Sequence, residues 1–315
     1  MGDCLLLTSP VRALKAEFPG FRISVLVEAR FASCFSGNPD FEQAIAAGGK
    51  ASTLRRLLTQ RFDLIVNLHG GPTSFLYALA ARGPAVGAEH YQYASLYRGT
   101  FPKPDGSIHT AASTLATFRW MGLRGDTAPP LRFEHNARLA THVSTQLTTE
   151  FGQPSAYVVI HPAALMDTKR WPLERFTELA TWLRQQQLRI VVTSGPGEEA
   201  LAHRLQQSVP ESVVLTGLSI PELAELIRGA RLYIGNDSGP MHLATAVGTP
   251  TVAIWGSSSS VRWHPWGVAH RVVQNPFACN PCPGYRCLVA PTPLCIESVT
   301  VEQVQSAVVE LIRRH

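Results

Sequence analysis

Short apolar runs rich in β-branched residues alternate along this chain with longer stretches that repeat apolar positions at the helical period. The runs predicted as strands are residues 22–27, 64–68, 156–160, 189–193, 232–234 and 251–255. Strands that alternate with amphipathic helices form parallel sheets through crossover connections. The pattern therefore predicts an α/β fold.

Proline and capping residues mark the predicted helix starts. Ser9 before Pro10 predicts a helix with proline in its first turn, where the missing N–H costs no hydrogen bond. Pro172 opens a helical run over residues 173–186, and a last helical pattern covers residues 299–313.

One segment near the middle of the chain breaks this alternation. Residues 124–136 contain the adjacent prolines Pro129 and Pro130, which favour turns over helix or strand. We therefore predict two domains, residues 1–135 and residues 136–315, with the last helix packing back toward the first domain.

Composition narrows the classes of protein. The chain has 315 residues, of which 45% are hydrophobic and 16% charged, enough for two ordinary cores. The formal net charge of +5 comes from scattered residues, which argues against nucleic acid but allows a modest attraction to anionic lipid headgroups. No apolar run approaches the roughly 20 residues of a membrane span. We expect a cytoplasmic protein with at most peripheral contact with the inner-membrane surface.

The strongest motif is Gly-Asn-Asp-Ser-Gly-Pro-Met-His, residues 235–242, directly after the predicted strand 232–234. Ser238 or Gly239 can cap a helix there, with Pro240 in its first position. A helix start carries unpaired N–H groups and favours an anion by roughly 0.3 to 2 kcal/mol. The motif therefore predicts a diphosphate-binding turn.

Two side chains of this motif have separate predicted roles. His242 is expected in the first helical turn, within reach of the diphosphate. Asp237 would repel phosphate oxygens, so it fits better as an acceptor for sugar hydroxyls or as the partner of a lysine. The alternative is that Asp237 and Ser238 only cap a structural helix while His242 packs in the core.

A second loop follows the predicted strand 156–160 and contains Lys169 and Arg170. The carboxyl ends of strands in open α/β sheets are where ligands bind. Lys169 is therefore the candidate cation for the diphosphate, with Arg170 as an auxiliary. Taken alone, both residues would fit solvated loop charges better, but opposite the anion-binding helix start that interpretation becomes the weaker one.

Residues 194–200 match the dinucleotide pattern G-x-G-x-x-A. We reject that interpretation because Glu198 and Glu199 would face the pyrophosphate. Glu198 is instead a candidate acceptor for ribose hydroxyls, and complementing a helix start is the equally good alternative. The chain has no Asp-x-Asp pair, so no carboxylate clamp for a catalytic metal ion is predicted.

Four cysteines cluster near the end of the chain with C-x2-C-x4-C-x7-C spacing: Cys279, Cys282, Cys287 and Cys295. Such soft ligands could hold a structural zinc ion or an iron–sulfur cluster. Reduced thiols without a metal fit the sequence as well. Both interpretations stay open at this point.

Together these segments resemble the ADP-heptose:lipopolysaccharide heptosyltransferases, glycosyltransferase family 9. The resemblance covers nearly the whole chain and rests on residues 2–3 with 5–10 and 14–15, 63–70, 161–162 with 169–172, 235–243, and 255–256 with 262–267. The stretch Asn-Asp-Ser-Gly-x-Met-His-Leu is its most specific part.

The resemblance implies an inverting enzyme with two Rossmann-like domains facing across a cleft, the glycosyltransferase B fold. The donor, a nucleotide diphosphate-sugar, would bind the C-terminal domain, and a lipid-linked glycan acceptor mainly the N-terminal one. By position, Asp3 matches the family's catalytic base and Lys169 its diphosphate lysine. Glu198 matches its nucleotide-side glutamate. The residues that match its donor-binding turn are Asp237, Ser238, Gly239 and His242. The resemblance implies no cofactor for catalysis.

The beginning of the chain departs from this family pattern. Gly2-Asp3 directly follows Met1, whereas the resembled proteins have a strand before it. We therefore expect the first strand to be missing, through a mis-set start or a truncation. If the loss is genuine, the N-terminal sheet lacks a central strand and Asp3 lies on a fraying terminus. The alternatives are transfer of another sugar on the same architecture and, if the truncated start is real, a catalytically inactive protein that binds nucleotide-sugars.

Overall fold

A computed structural model of the protein describes residues 1–152, 156–282 and 284–313. Its contacts divide the chain into two compact units. The N-terminal unit is Leu7–Pro129, and the C-terminal unit is Met1–Leu6 together with Pro130–His315. The predicted α/β architecture is confirmed in both, because every strand pairing in the described residues is parallel.

The N-terminal unit carries five strands in two small sheets. In chain order the elements are α1 (Gly2–Glu17, which begins in the C-terminal unit), β1 (Ser24–Glu28), β2 (Gln43–Ala47), α2 (Lys50–Leu58), β3 (Ile65–Asn67), α3 (Pro72–Ala80), β4 (Ala85–Ala88), β5 (Gly99–Phe101) and α4 (Thr110–Trp120). One sheet has the order β1-β2 and the other β3-β4-β5. The parallel strands of this unit therefore do not form one continuous sheet.

Helix α1 starts earlier than the sequence predicts. It begins at Gly2 and carries Pro10 in its interior, where proline removes one hydrogen bond at a cost of about 3 kcal/mol. Pro10 and its neighbour Val11 are buried, and this apolar packing offsets the lost bond. Ser9 does not cap the helix, since its hydroxyl donates to the carbonyl oxygen of Pro129.

The C-terminal unit is built on one six-stranded parallel sheet with the order β11-β10-β9-β6-β7-β8. Its elements in chain order are α5 (Ala137–Phe151), β6 (Tyr157–His161), α6 (Leu173–Gln185), β7 (Arg189–Thr193), α7 (Glu199–Ser208), β8 (Val213–Leu215), α8 (Ile220–Arg228), β9 (Leu232–Asn236), α9 (Gly239–Ala246), β10 (Thr251–Ile254), α10 (Ser260–Trp263), β11 (His270–Val273), α11 (Leu294–Glu297) and α12 (Val301–Ile312).

The core of this unit lies on both faces of the sheet. Every residue of β6, β9 and β10 is buried, as expected for parallel strands covered by helices on both sides. On α6, Leu179 and Leu183 are fully buried, and burying one leucine contributes about 1.5 to 3 kcal/mol. Helix α12 packs against α6, β10 and β11.

The strand order of this sheet creates a switch point. From β6 the chain adds β7 and β8 on one side and then returns to add β9, β10 and β11 on the other. The loops after β6 and β9 therefore leave the same edge of the sheet and diverge. Ligands of open α/β sheets bind in the crevice at such a point.

The helices of the structure are short. The longest, α1, has 16 residues. Within the described ranges, none combines the length and the apolar character that crossing a bilayer demands.

Candidate active site

The turn between β9 and α9 lies at the switch point. Ser238 is the N-cap of α9, with extended backbone angles, but its side chain makes no capping hydrogen bond. The helix begins at Gly239, and Pro240 occupies its first turn. Residue Gly239, rather than Pro240, is thus the first helical position. The hydroxyl of Ser238 is not used to cap the helix.

Lys169 reaches this turn from the loop after β6. Its Nζ lies 2.6 Å from Oδ2 of Asp237, and the hydroxyl of Ser258 donates to the same carboxylate oxygen. The Asp237 side chain is 5% exposed and that of Lys169 21%. The carboxylate thus holds the lysine at the start of α9, and the lysine side chain stays partly exposed.

His242 lies in the first turn of α9, within electrostatic range of this ion pair. Its side chain is 4% exposed. Burial lowers the pKa of His242 to about 4, although the charges of Asp237 and Asp3 oppose that shift. The imidazole is therefore neutral at pH 7. Its Nδ1 is buried and has no hydrogen-bond partner among the described residues.

The beginning of the chain packs against α9. A Cβ on Gly2 would lie 2.7 Å from Cδ2 of His242, so only glycine permits this approach. The side chain of Met1 contacts Gly239, since its Cε lies 2.6 Å from where a Cβ of Gly239 would be. Met1 thus covers part of the first residue of the helix.

Asp3 follows in the first turn of α1 and is exposed. Its charge raises the pKa of His242, against the larger effect of burial, so the carboxylate lies near the donor turn predicted from the sequence. The residues Met1–Leu6 belong to the C-terminal unit. This differs from the predicted division, which assigned them to a domain of residues 1–135.

Asn236, which sequence reasoning missed, holds the loop after β6 in place. Its Nδ2 donates to the carbonyl oxygen of Pro162 at 2.9 Å, and its Oδ1 accepts from the backbone N–H of Trp171 at 3.1 Å. Both ends of the loop that carries Lys169 are therefore tied to β9. The sequence signal that could have identified Asn236 is its amide side chain at the last position of a buried strand. An unpaired polar group there would cost free energy, so a hydrogen-bond partner is expected.

Glu198 lies on the neighbouring loop, after β7. It precedes α7 at the N-cap position without a side-chain cap bond. Burial raises the pKa of Glu198, and the nearby charge of Arg170 opposes this shift. The guanidinium of Arg170 donates to the carbonyl oxygen of Ala164 at 2.7 Å. The structure thus brings the Glu198 and Arg170 loops within electrostatic range at the same sheet edge.

The four clustered cysteines do not form a metal site in the described part of the chain. No two cysteines of the described residues are joined by a disulfide bond. Burial raises the pKa of the Cys295 thiol, and Cys279 and Cys287 add to this. Within the described ranges, no three or more His, Cys, Asp or Glu side chains are grouped to hold a metal ion.

The fold agrees with solved glycosyltransferase structures. A family 9 glycosyl transferase from Veillonella parvula superposes with a TM-score of 0.86 at 19% identity, covering 100% of this chain and 95% of that one. The Escherichia coli ADP-heptose lipopolysaccharide heptosyltransferase II superposes with a TM-score of 0.81 at 21% identity. The superposition covers 99% of this chain and 96% of that one. These superpositions show that the chain has the two-domain α/β fold of these proteins.

Sequence comparison gives the family. Residues 51–292 match the family model described as glycosyltransferase family 9 (heptosyltransferase), and the chain belongs to this family. It is 28% identical over 293 residues to lipopolysaccharide heptosyltransferase 3 of Escherichia coli, covering 84% of this chain and 83% of that protein. The resemblance stated from the motifs is thereby confirmed.

Proposed function

We propose that this protein transfers heptose from ADP-heptose to the inner core of lipopolysaccharide. The observation that carries the proposal is the Lys169 cation, whose side chain is mostly buried and is held by Asp237 at the start of α9. The relatives support this choice of sugar and acceptor, because lipopolysaccharide heptosyltransferase 3 of Escherichia coli aligns with 84% of this chain at 28% identity.

The donor diphosphate would bind between the start of α9 and Lys169. Backbone N–H groups at a helix start favour an anion by about 0.3 to 2 kcal/mol, and the ammonium group adds a charge-assisted hydrogen bond. The Ser238 hydroxyl, unused as a cap, is a further donor. In this proposal Glu198 accepts from the ribose hydroxyls, and Asp237 both holds Lys169 and accepts from the sugar.

The proposed reaction is a single inverting displacement. The acceptor hydroxyl oxygen forms a bond to the anomeric carbon while the bond from that carbon to the diphosphate oxygen breaks. Asp3 takes the hydroxyl proton, and ADP leaves with the electron pair. Negative charge builds on the leaving diphosphate, so the helix start and Lys169 stabilise the transition state more than the ground state.

The charge distribution supports a lipid-linked, anionic acceptor. Residues 7–129 contain thirteen lysines and arginines and eight acidic residues, a net +5 that equals the charge of the whole chain. A positive unit attracts phosphorylated glycans and anionic headgroups. We therefore propose that the protein works at the cytoplasmic face of the inner membrane, in peripheral contact with it.

The experiment is mass spectrometry of core lipopolysaccharide from cells that lack this protein. The proposal expects a core that is shorter by one heptose and is restored by the wild-type gene but not by its Lys169→Met variant. Loss of a different sugar would support a transferase of another donor. An unchanged core would favour an inactive nucleotide-sugar-binding protein and overturn the proposal.

A further inference from the structure

The carboxylate that holds Lys169 is itself held by a second side chain. Oδ2 of Asp237 lies 2.6 Å from the ammonium nitrogen of Lys169 and accepts a hydrogen bond from the hydroxyl of Ser258. Asp237 is 5% exposed, so few water molecules can replace either partner. The direction of the carboxylate therefore depends on both donors.

Ser258 is rigidly anchored by its backbone. Its carbonyl oxygen accepts from the indole Nε1 of Trp255 at 3.0 Å and from Nε2 of Gln274 at 3.3 Å. Trp255 is fully buried at the end of the sheet. The hydroxyl of Ser258 is thus presented to Asp237 from a fixed backbone, which keeps the entropy cost of the hydrogen bond low.

The two residues before Ser258 contact Thr168, the sequence neighbour of the other member of the ion pair. Ser257 donates from its backbone N–H to the Thr168 carbonyl at 3.2 Å and from its hydroxyl to the Thr168 hydroxyl at 2.9 Å. A Cβ on Gly256 would overlap the carbonyl oxygen of Thr168. Thr168 directly precedes Lys169, so the segment 256–258 fixes both Lys169 and Asp237.

We infer that Ser258 is a positioning residue for the diphosphate cation: its hydrogen bond to Asp237 sets the direction in which that carboxylate holds Lys169. The inference rests on the proposed function, in which Lys169 binds the donor diphosphate. Without the hydroxyl, Lys169 is the one donor left to Oδ2 of Asp237 among the described residues, and the carboxylate turns to pair with it more fully. The ammonium group is then less available to phosphate oxygens.

The test is a double-mutant cycle measured as ADP affinity by calorimetry, with Ser258→Ala, Lys169→Met and the double variant. We expect Ser258→Ala to weaken ADP binding about ten-fold, the usual effect of losing a hydrogen bond to a charged group. Ser258 acts only through Lys169, so the double variant should bind ADP no more weakly than Lys169→Met alone. Additive losses would overturn the inference.

Two further variants separate positioning from a general loss of structure. Ser258→Thr keeps the hydroxyl and should bind ADP within about three-fold of wild type, below the loss of a full hydrogen bond. Ser259→Ala is the matched control, because Ser259 caps α10 without a side-chain bond, and its affinity should not change. Equal losses in Ser258→Ala and Ser259→Ala would also overturn the inference.

Heptose transfer by the wild-type protein is measured in the same series. If the protein binds ADP with the expected coupling but transfers no heptose, the proposed function fails and the role of Ser258 stands. If heptose is transferred and the cycle is additive, the proposed function stands and the role of Ser258 fails.

Discussion

At the scale of single residues, the site depends on side chains from distant parts of the sequence that meet at one helix start. Lys169 and Asp237 are 68 positions apart in the sequence and form an ion pair of 2.6 Å. The residue types could be predicted, because a diphosphate needs a cation and an aspartate there needs a partner. The hydrogen bond from Ser258 could not, since a serine in a loop has many local uses.

The proposed base gives the first prediction. Asp3→Asn keeps the size of the side chain and removes its ability to take a proton. We expect turnover to fall by about 10² to 10⁴, the usual contribution of a positioned base, while ADP affinity stays unchanged. Steady-state kinetics and calorimetry measure the two quantities. Asp126→Asn, in an exposed loop, is the control, and unchanged turnover in Asp3→Asn would remove Asp3 from the mechanism.

Two buried histidines predict how stability depends on pH. Burial lowers the pKa of both His161 and His242 to about 4. Between the ordinary value near pH 6.5 and pH 4, the unfolded chain binds protons that the folded protein does not. The unfolding free energy should therefore be fully retained above pH 6.5 and fall as the pH drops toward 4, by on the order of 3 kcal/mol per histidine.

Urea unfolding at successive pH values measures this dependence. His161→Gln should reduce the slope of unfolding free energy against pH by about one proton, or 1.4 kcal/mol per pH unit. The change in slope is independent of any constant loss of stability in the variant. Identical slopes for the variant and the wild type would show that His161 titrates normally.

At the scale of elements, local sequence signals were enough to predict the β9–α9 turn. The start of α1 and the contacts between loops depend instead on long-range packing. The β9–α9 turn is recognisable because glycine, serine and proline each occupy a position that suits them. Helix α1 was predicted wrongly, since Pro10 normally opens a helix and here lies inside one. Tertiary burial of α1 is not visible in the local sequence, and neither is the contact between the loops after β6 and β10.

That loop contact gives an element-scale prediction. In Gly256→Ala the new methyl group would overlap the backbone oxygen of Thr168, which cannot move without displacing Lys169. We expect a loss of about 1 to 3 kcal/mol in stability, together with weaker ADP binding. Gly20→Ala is the matched control, because a Cβ there meets nothing within 4 Å. Thermal unfolding and calorimetry measure both effects; wild-type ADP affinity in Gly256→Ala would contradict the role of the loop contact.

At the scale of the whole molecule, the alternation of strands and helices was enough to predict the α/β class. It was not enough to predict that Met1–Leu6 group with the C-terminal unit. That grouping depends on the contacts of Met1 with Gly239 and of Gly2 with His242. Contacts between segments so far apart in the sequence leave no periodic pattern.

The uneven charge of the two units predicts how the protein behaves at membranes. Residues 7–129 carry the entire net charge of +5, so the protein should bind vesicles containing anionic lipid and leave neutral ones unbound. Binding should weaken as salt rises past about 0.15 M, where the Debye length is about 8 Å. Vesicle co-sedimentation measures this. Equal binding to neutral and anionic vesicles would contradict the proposed electrostatic contact.

The central claim is that Lys169 and the start of α9 hold a diphosphate, and calorimetric titration of the full-length protein with ADP tests it most directly. We expect the wild type to bind ADP. Lys169→Met should weaken binding by about ten-fold to a hundred-fold, because a charge-assisted bond is lost and Asp237 is left without its cation. Lys103→Met, an exposed lysine of the N-terminal unit, should bind as the wild type does. No heat with the wild type, or equal affinity in Lys169→Met, would contradict the account.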